Sequence, residues 1–142
     1  MITKILVLDD EYKTATIISD YLTIKGNKVD IATSYQRGIT FFQKSYDVLI
    51  ADVLLKDDTK TGLDFAYEYK NNHPHTFVIA MSGNKSFRIS NDIIDCFLEK
   101  PIDLKKMGDI IKSHVNTSLI DLIEKIDTIS IDIKHIKNKL EK

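Results

Sequence analysis

Five short runs of β-branched and other apolar residues recur along the chain, at Lys4 to Leu8, Lys28 to Ile31, Val48 to Ala51, Phe77 to Met81 and Cys96 to Leu98, with helix-compatible stretches between them. Strands alternating with helices predict an α/β fold, a doubly wound parallel sheet with helices on both faces. The runs VLIA and FVIAM are apolar throughout, as expected of central strands buried on both faces. Between the first two runs, Ile17, Ile18, Tyr21 and Leu22 recur at helical spacing and Gly26-Asn27 supplies a stop. Pro74 ends the third helix in the same way. A fourth helix, weakly patterned, falls within Ser86 to Asp92. A chain of 142 residues with 43% hydrophobic content suits one domain with a short appendage.

Twenty basic residues against twenty-one acidic ones leave no global field to recruit nucleic acid or an anionic membrane. Specificity must therefore sit in a local site. The single cysteine, Cys96, excludes an intramolecular disulfide framework. No apolar run reaches the roughly 18 residues that span a bilayer, and the N-terminus lacks the pattern of a secretory signal. The cytoplasm is the expected compartment.

In a doubly wound sheet, ligands bind beyond the carboxyl ends of the strands. The first run ends in Asp9, Asp10 and Glu11, the third in Asp52, the fourth in Ser82-Gly83 and the fifth in Lys100-Pro101. A phosphate-binding loop would place glycines and hydroxyls after the first strand. Carboxylates there attract a cation instead, and oxygen donors from two strand ends suit Mg²⁺. The same rim has the parts for phosphoryl transfer: Asp52 as nucleophile, Asp10 with Asp9 to hold the metal, Lys100 and Ser82 to meet phosphoryl oxygens.

LDDE (8 to 11), IAD (50 to 52), MSG (81 to 83) and FLEKP (97 to 101) together resemble the receiver domain of bacterial two-component response regulators. The match covers residues 1 to 114. It implies a flavodoxin-like five-stranded sheet in the order 2-1-3-4-5, carrying a helical extension over 115 to 142. It further implies that Asp10 and Asp52 bind Mg²⁺ directly with the backbone carbonyl of Leu54, and that Asp9 acts mainly through water. Asp52 would accept a phosphoryl group from a sensor histidine kinase or phosphotransfer protein, contacted by Ser82 and Lys100, making the chain a phosphoacceptor rather than an enzyme. Phe97 stands where the family keeps its switch aromatic, coupled to Ser82. Two departures accompany the match. The family usually has a proline four residues after the acceptor and a glycine eight after it, whereas this chain has Lys56 and then Gly62, ten residues on. The loop KDDTKT is thus about two residues longer than the family's usual connection.

Taken singly, these residues have plainer readings. Carboxylates at a strand end suit a solvated helix start, Ser-Gly suits a turn, Phe97 and Cys96 suit a core, and His73 and His75 around Pro74 suit a surface loop. It is their combination at one rim that calls for chemistry. A haloacid-dehalogenase-like phosphatase also uses an Asp after its first strand, but needs another two positions beyond it, where Glu11 stands.

Beyond the match, Leu119, Leu122, Ile126, Ile129, Ile133, Ile136 and Leu140 recur in steps of three and four. This heptad stripe has Leu or Ile at every a and d position and predicts an oligomerisation or docking helix, a homodimer first of all. In parallel chains Asp132 and Lys137 would pair across it. The junction reads two ways. Met107, Ile111, Val115 and Leu119 continue one helix, whereas Ser118 with Asp121 resembles a capping box that starts another. The sequence reads best as a phosphorylation-switched signalling receiver that changes its protein contacts, with no direct nucleic-acid or membrane binding. The alternatives are an N-terminal receiver fragment of a longer DNA-binding regulator, with the heptads as linker, and an unphosphorylated dimeric scaffold.

Overall fold

All five apolar runs form strands, and each begins at the residue the pattern marks: β1 (Lys4–Leu8), β2 (Lys28–Ala32), β3 (Val48–Asp52), β4 (Phe77–Ser82) and β5 (Cys96–Glu99). The computed structural model describes residues 2–56, 59–83 and 92–141. The strands make one sheet in the order β2-β1-β3-β4-β5, parallel at every pairing. Ile5 to Leu8 and Val48 to Ile50 are fully shielded from solvent, which is why their sequence is apolar without alternation.

Four helices occur among the described residues: α1 (Tyr12–Ile24), α2 (Tyr35–Ile39), α3 (Gly62–Asn72) and α4 (Leu104–Leu140). α1 buries Ala15, Ile18 and Leu22 at steps of three and four. Tyr21 is half-buried and Ile17 is exposed, so the inward stripe is rotated from the expected one and Ala15 takes a place in it. Gly26 follows α1 at φ +96, a backbone state that a side chain would disfavour, and this fits the predicted stop. The fourth helix expected within 86–92 lies, apart from Asp92, outside the described residues.

α3 starts from a capping box. Thr61 Oγ1 accepts from the Asp64 N–H at 3.1 Å, and Asp64 Oδ2 accepts from the Thr61 N–H at 2.8 Å. Such caps contribute about 1 kcal/mol each. The sheet face under α2 and α3 carries an aromatic cluster in which Phe65 stacks on Tyr69 and Phe42 meets both edge-on. His73 belongs to that cluster. Its ring lies on Tyr69 with centroids 4.2 Å apart, and Nε2 sits 2.9 Å from the Phe42 carbonyl. The surface-loop reading of His73 therefore fails, because the end of α3 packs the imidazole against a ring four residues back. His75 is exposed as expected.

Packing divides the chain into two compact units, Met1–Gly108 and Asp109–Lys142. α4 passes from one into the other without interruption, so the read-through of Met107 to Leu119 holds and Ser118-Asp121 caps nothing. A continuing helix already satisfies the N–H groups that a cap would serve. In the second unit, Leu122, Ile126, Ile129, Ile133 and Ile136 are each more than half exposed, and Leu140 is 80% exposed. Among the described residues, no helix is long and apolar enough to cross a membrane.

Candidate functional site

Parallel pairing brings the ends of β1, β3, β4 and β5 side by side. Leu8 is level with Ala51, Asp52 with Met81, and Ser82 with Glu99. The residues that end or follow those strands consequently share one rim. Asp9 is fully buried, while Asp52 and Ser82 are nearly so. Asp10 and Lys100 are half-buried.

Carboxylate oxygens of Asp9, Asp10 and Asp52 lie within 4.8 Å of one another. Lys100 partly offsets their charge. Its ammonium donates to Asp9 Oδ2 at 2.8 Å and to Asp52 Oδ2 at 3.1 Å. Backbone donors hold three of the four other oxygens. The Glu11 N–H reaches Asp9 Oδ1 at 2.9 Å, the Leu54 N–H reaches Asp52 Oδ1 at 3.3 Å, and the Lys56 N–H reaches Asp10 Oδ2 at 2.6 Å. The Lys100–Pro101 peptide is cis, and the Lys100 N–H donates to the Ser82 carbonyl at 2.9 Å, tying the end of β5 to β4.

Burial pushes the Asp52 carboxyl above its ordinary range. The hydrogen bond from Lys100 opposes this, and repulsion from Asp9 reinforces it. Burial also works against the Lys100 ammonium, but its bonds to Asp9 and Asp52 outweigh that and hold it above the usual lysine value. Three carboxylates around one ammonium leave an excess of two negative charges among hard oxygen donors. That donor set fits a small divalent cation such as Mg²⁺.

The structure thus brings Asp9, Asp10, Asp52 and Lys100 into direct contact or near it, and places Ser82 at the end of the adjoining strand. Leu54 stands beside Asp52 with its side chain half exposed. Phe97 is half-buried on β5, level with Ala80 of β4, and contributes no polar group to the rim.

Three features escaped the sequence reading. The Lys56 N–H on Asp10 and the capping box at Thr61 belong to the longer loop, of which residues 57 and 58 lie outside the described set. The capping box had a signal in Thr61 followed three residues later by Asp64. The third is a clamp in which the Lys60 ammonium bonds Glu68 and the Tyr35 hydroxyl while lying over the Tyr35 ring, and Tyr35 donates to Glu68. It ties the end of the same loop to α2 and α3.

Comparison with known proteins gives one family. Solved structures resemble this chain over most of its length. A receiver domain protein (CheY-like) of Methanospirillum hungatei has a TM-score of 0.77 at 20% identity, covering 85% of this chain and 99% of its own. A receiver domain protein of Clostridium thermocellum has a TM-score of 0.74 at 28% identity, covering 84% and 98%. The response regulator TrrA of Thermotoga maritima, solved with Mg²⁺–BeF, has a TM-score of 0.70 at 23% identity, covering 79% and 98%. No curated protein matches. The family model described as the response regulator receiver domain matches residues 5–112, and with the sheet order and the acidic rim already in place, the chain belongs to the response regulator receiver family.

Proposed function

We propose that Asp52 accepts a phosphoryl group from the phosphohistidine of a sensor kinase or phosphotransfer protein, with Mg²⁺ at the acidic rim, and that the acyl phosphate changes which proteins the chain binds. The observation that carries this reading is the Lys100 ammonium bonded at once to Asp9 and Asp52, beside a carboxylate cluster that it leaves under-neutralised. In the transfer, an oxygen of Asp52 forms the new O–P bond as the donor's N–P bond breaks. Asp52 must be ionised to attack; burial and Asp9 oppose that state, the hydrogen bond from Lys100 favours it, and a bound cation would favour it further. Lys100 moves from the carboxylate to a phosphoryl oxygen, and the Ser82 hydroxyl donates to another. Asp10 and Asp52, with the Leu54 carbonyl, would hold the cation directly, and Asp9 would act on it mainly through water. When bound, Mg²⁺ offsets charge on the phosphoryl oxygens. The chain is then a substrate in phosphoryl transfer rather than an enzyme. Cytoplasmic residence suits it, since its lone Cys96 needs no oxidising compartment.

The test is intact mass after incubation with Mg²⁺ and a small acyl phosphate. One phosphoryl group should be gained, and the gain should vanish in Asp52→Asn and when Mg²⁺ is withheld. No gain under donor excess would sink the reading and favour an unphosphorylated scaffold.

The tail supports a second copy as one partner. A continuous helix exposing Leu or Ile at successive a and d positions gains by covering that stripe in a coiled coil, and exposed Ile120, Ile123 and Ile131 widen the apolar surface enough to admit more than two chains. Sedimentation should give a dimer for the native chain and a monomer for the double variant Ile126→Glu, Ile129→Glu. Two monomers would remove the dimer from the proposal, and two dimers would remove this stripe as its interface.

A further inference from the structure

The three carboxylates are held differently. Asp9 is fixed by Lys100 and the Glu11 N–H, and Asp52 by Lys100 and the Leu54 N–H. Among the described residues, Asp10 has one hydrogen-bond partner on its carboxylate, the Lys56 N–H at 2.6 Å. That donor comes from a position 46 residues away, in a segment anchored close to Asp52. The Leu54 N–H bonds Asp52 itself, and the Gly62 N–H bonds the Val53 carbonyl at 3.1 Å.

A carboxylate offers about four acceptor sites on two oxygens, so an amide on Oδ2 leaves Asp10 able to ligate a cation. Without that amide, Asp10 would be free to turn. It is half-buried, and repulsion from Asp9 and Asp52 would drive its carboxylate toward water. A cation would then have to reorder the side chain against that repulsion.

Resting on the reading of this rim as a Mg²⁺ site, we propose that the backbone N–H of Lys56 positions Asp10 for the cation. It holds the Asp10 carboxylate beside those of Asp9 and Asp52 before the cation arrives. The Lys56 ammonium has no part in this, so the side chain is replaceable where the N–H is not.

The test uses the full chain and calorimetric titration with Mg²⁺ alone. Lys56→Ala keeps the N–H and should bind within about twofold of the native chain. Lys56→Pro removes it and should bind about tenfold more weakly, the scale found when a ligand's outer partner is lost. A second readout does not depend on the proline variant folding. The Lys56 amide proton of the native chain should resonate far downfield by NMR and move upfield in Asp10→Ala. Native affinity in a folded Lys56→Pro, equal weakening in both Lys56 variants, or an amide signal indifferent to Asp10→Ala would each overturn the proposal while leaving the Mg²⁺ reading intact. Absence of Mg²⁺ binding by the native chain would overturn both.

Discussion

Lys100→Met is expected to lower stability by about 3 kcal/mol near neutral pH, because it strands a fully buried carboxylate beside a second one. Asp9 would keep the Glu11 N–H but lose its only ion-pair partner among the described residues. Asp52 would lose the ammonium that moderates its repulsion with Asp9. The figure sits at the low end for a broken buried pair because the Lys100 side chain retains 22% exposure and some solvent already screens the site.

The pH dependence has a definite sign. Lys100 titrates above its ordinary value in the folded chain, so its contribution is full below the unfolded lysine pKa of about 10.4 and is lost as pH rises through the folded value. Asp52 also titrates above its ordinary value. Its neutral form favours the fold, and that advantage disappears as pH rises through its folded value. Urea midpoints of the native and Met chains should therefore lie furthest apart around neutrality. They should converge in acid, where the carboxylates protonate, and in strong alkali, where the native lysine loses its charge. A constant gap across that range would show that lost packing of the lysine stem, not charge, sets the effect.

Gly62→Ala is expected to cost about 3 kcal/mol or more, through overpacking against an immovable neighbour. A Cβ built on Gly62 would lie 1.7 Å from the Asp52 carbonyl oxygen and 2.8 Å from its carbon. Neither atom can retreat, since β3 pairs with β1 on one side and β4 on the other. The start of α3 would have to move instead, pulling on the Thr61–Asp64 box and on the Gly62 N–H that bonds Val53. Urea unfolding should show a lower midpoint with an unchanged slope, the mark of a stability change between the same two states. An unchanged midpoint would mean that the helix start relaxes at little cost.

Gly62 also shows where sequence reasoning stops. Its spacing from Asp52 stood out as a departure from the family's usual interval, but only the fold shows that α3 touches β3 there. His73 is a similar case. Flanked by Asn72 and Pro74, it reads as a loop residue, and only the return of α3 over the aromatic cluster puts Tyr69 beneath it. Ile17 failed in the other direction, because helical spacing identifies a stripe without saying which edge of it faces the sheet.

The sequence by itself determined the five strands, the fold class and the rim residues Asp9, Asp10, Asp52, Ser82 and Lys100. A buried parallel strand must be apolar along its length, so the first polar residue after the run marks its carboxyl end, and a doubly wound sheet gathers those ends on one side. Tertiary structure alone decided how the rim is held. That one ammonium bridges Asp9 and Asp52, and that the Lys56 N–H reaches Asp10 across 46 positions, depends on where loops and side chains travel in space. No local periodicity encodes that path, since a backbone N–H is present at almost every residue and its partner is set by the fold.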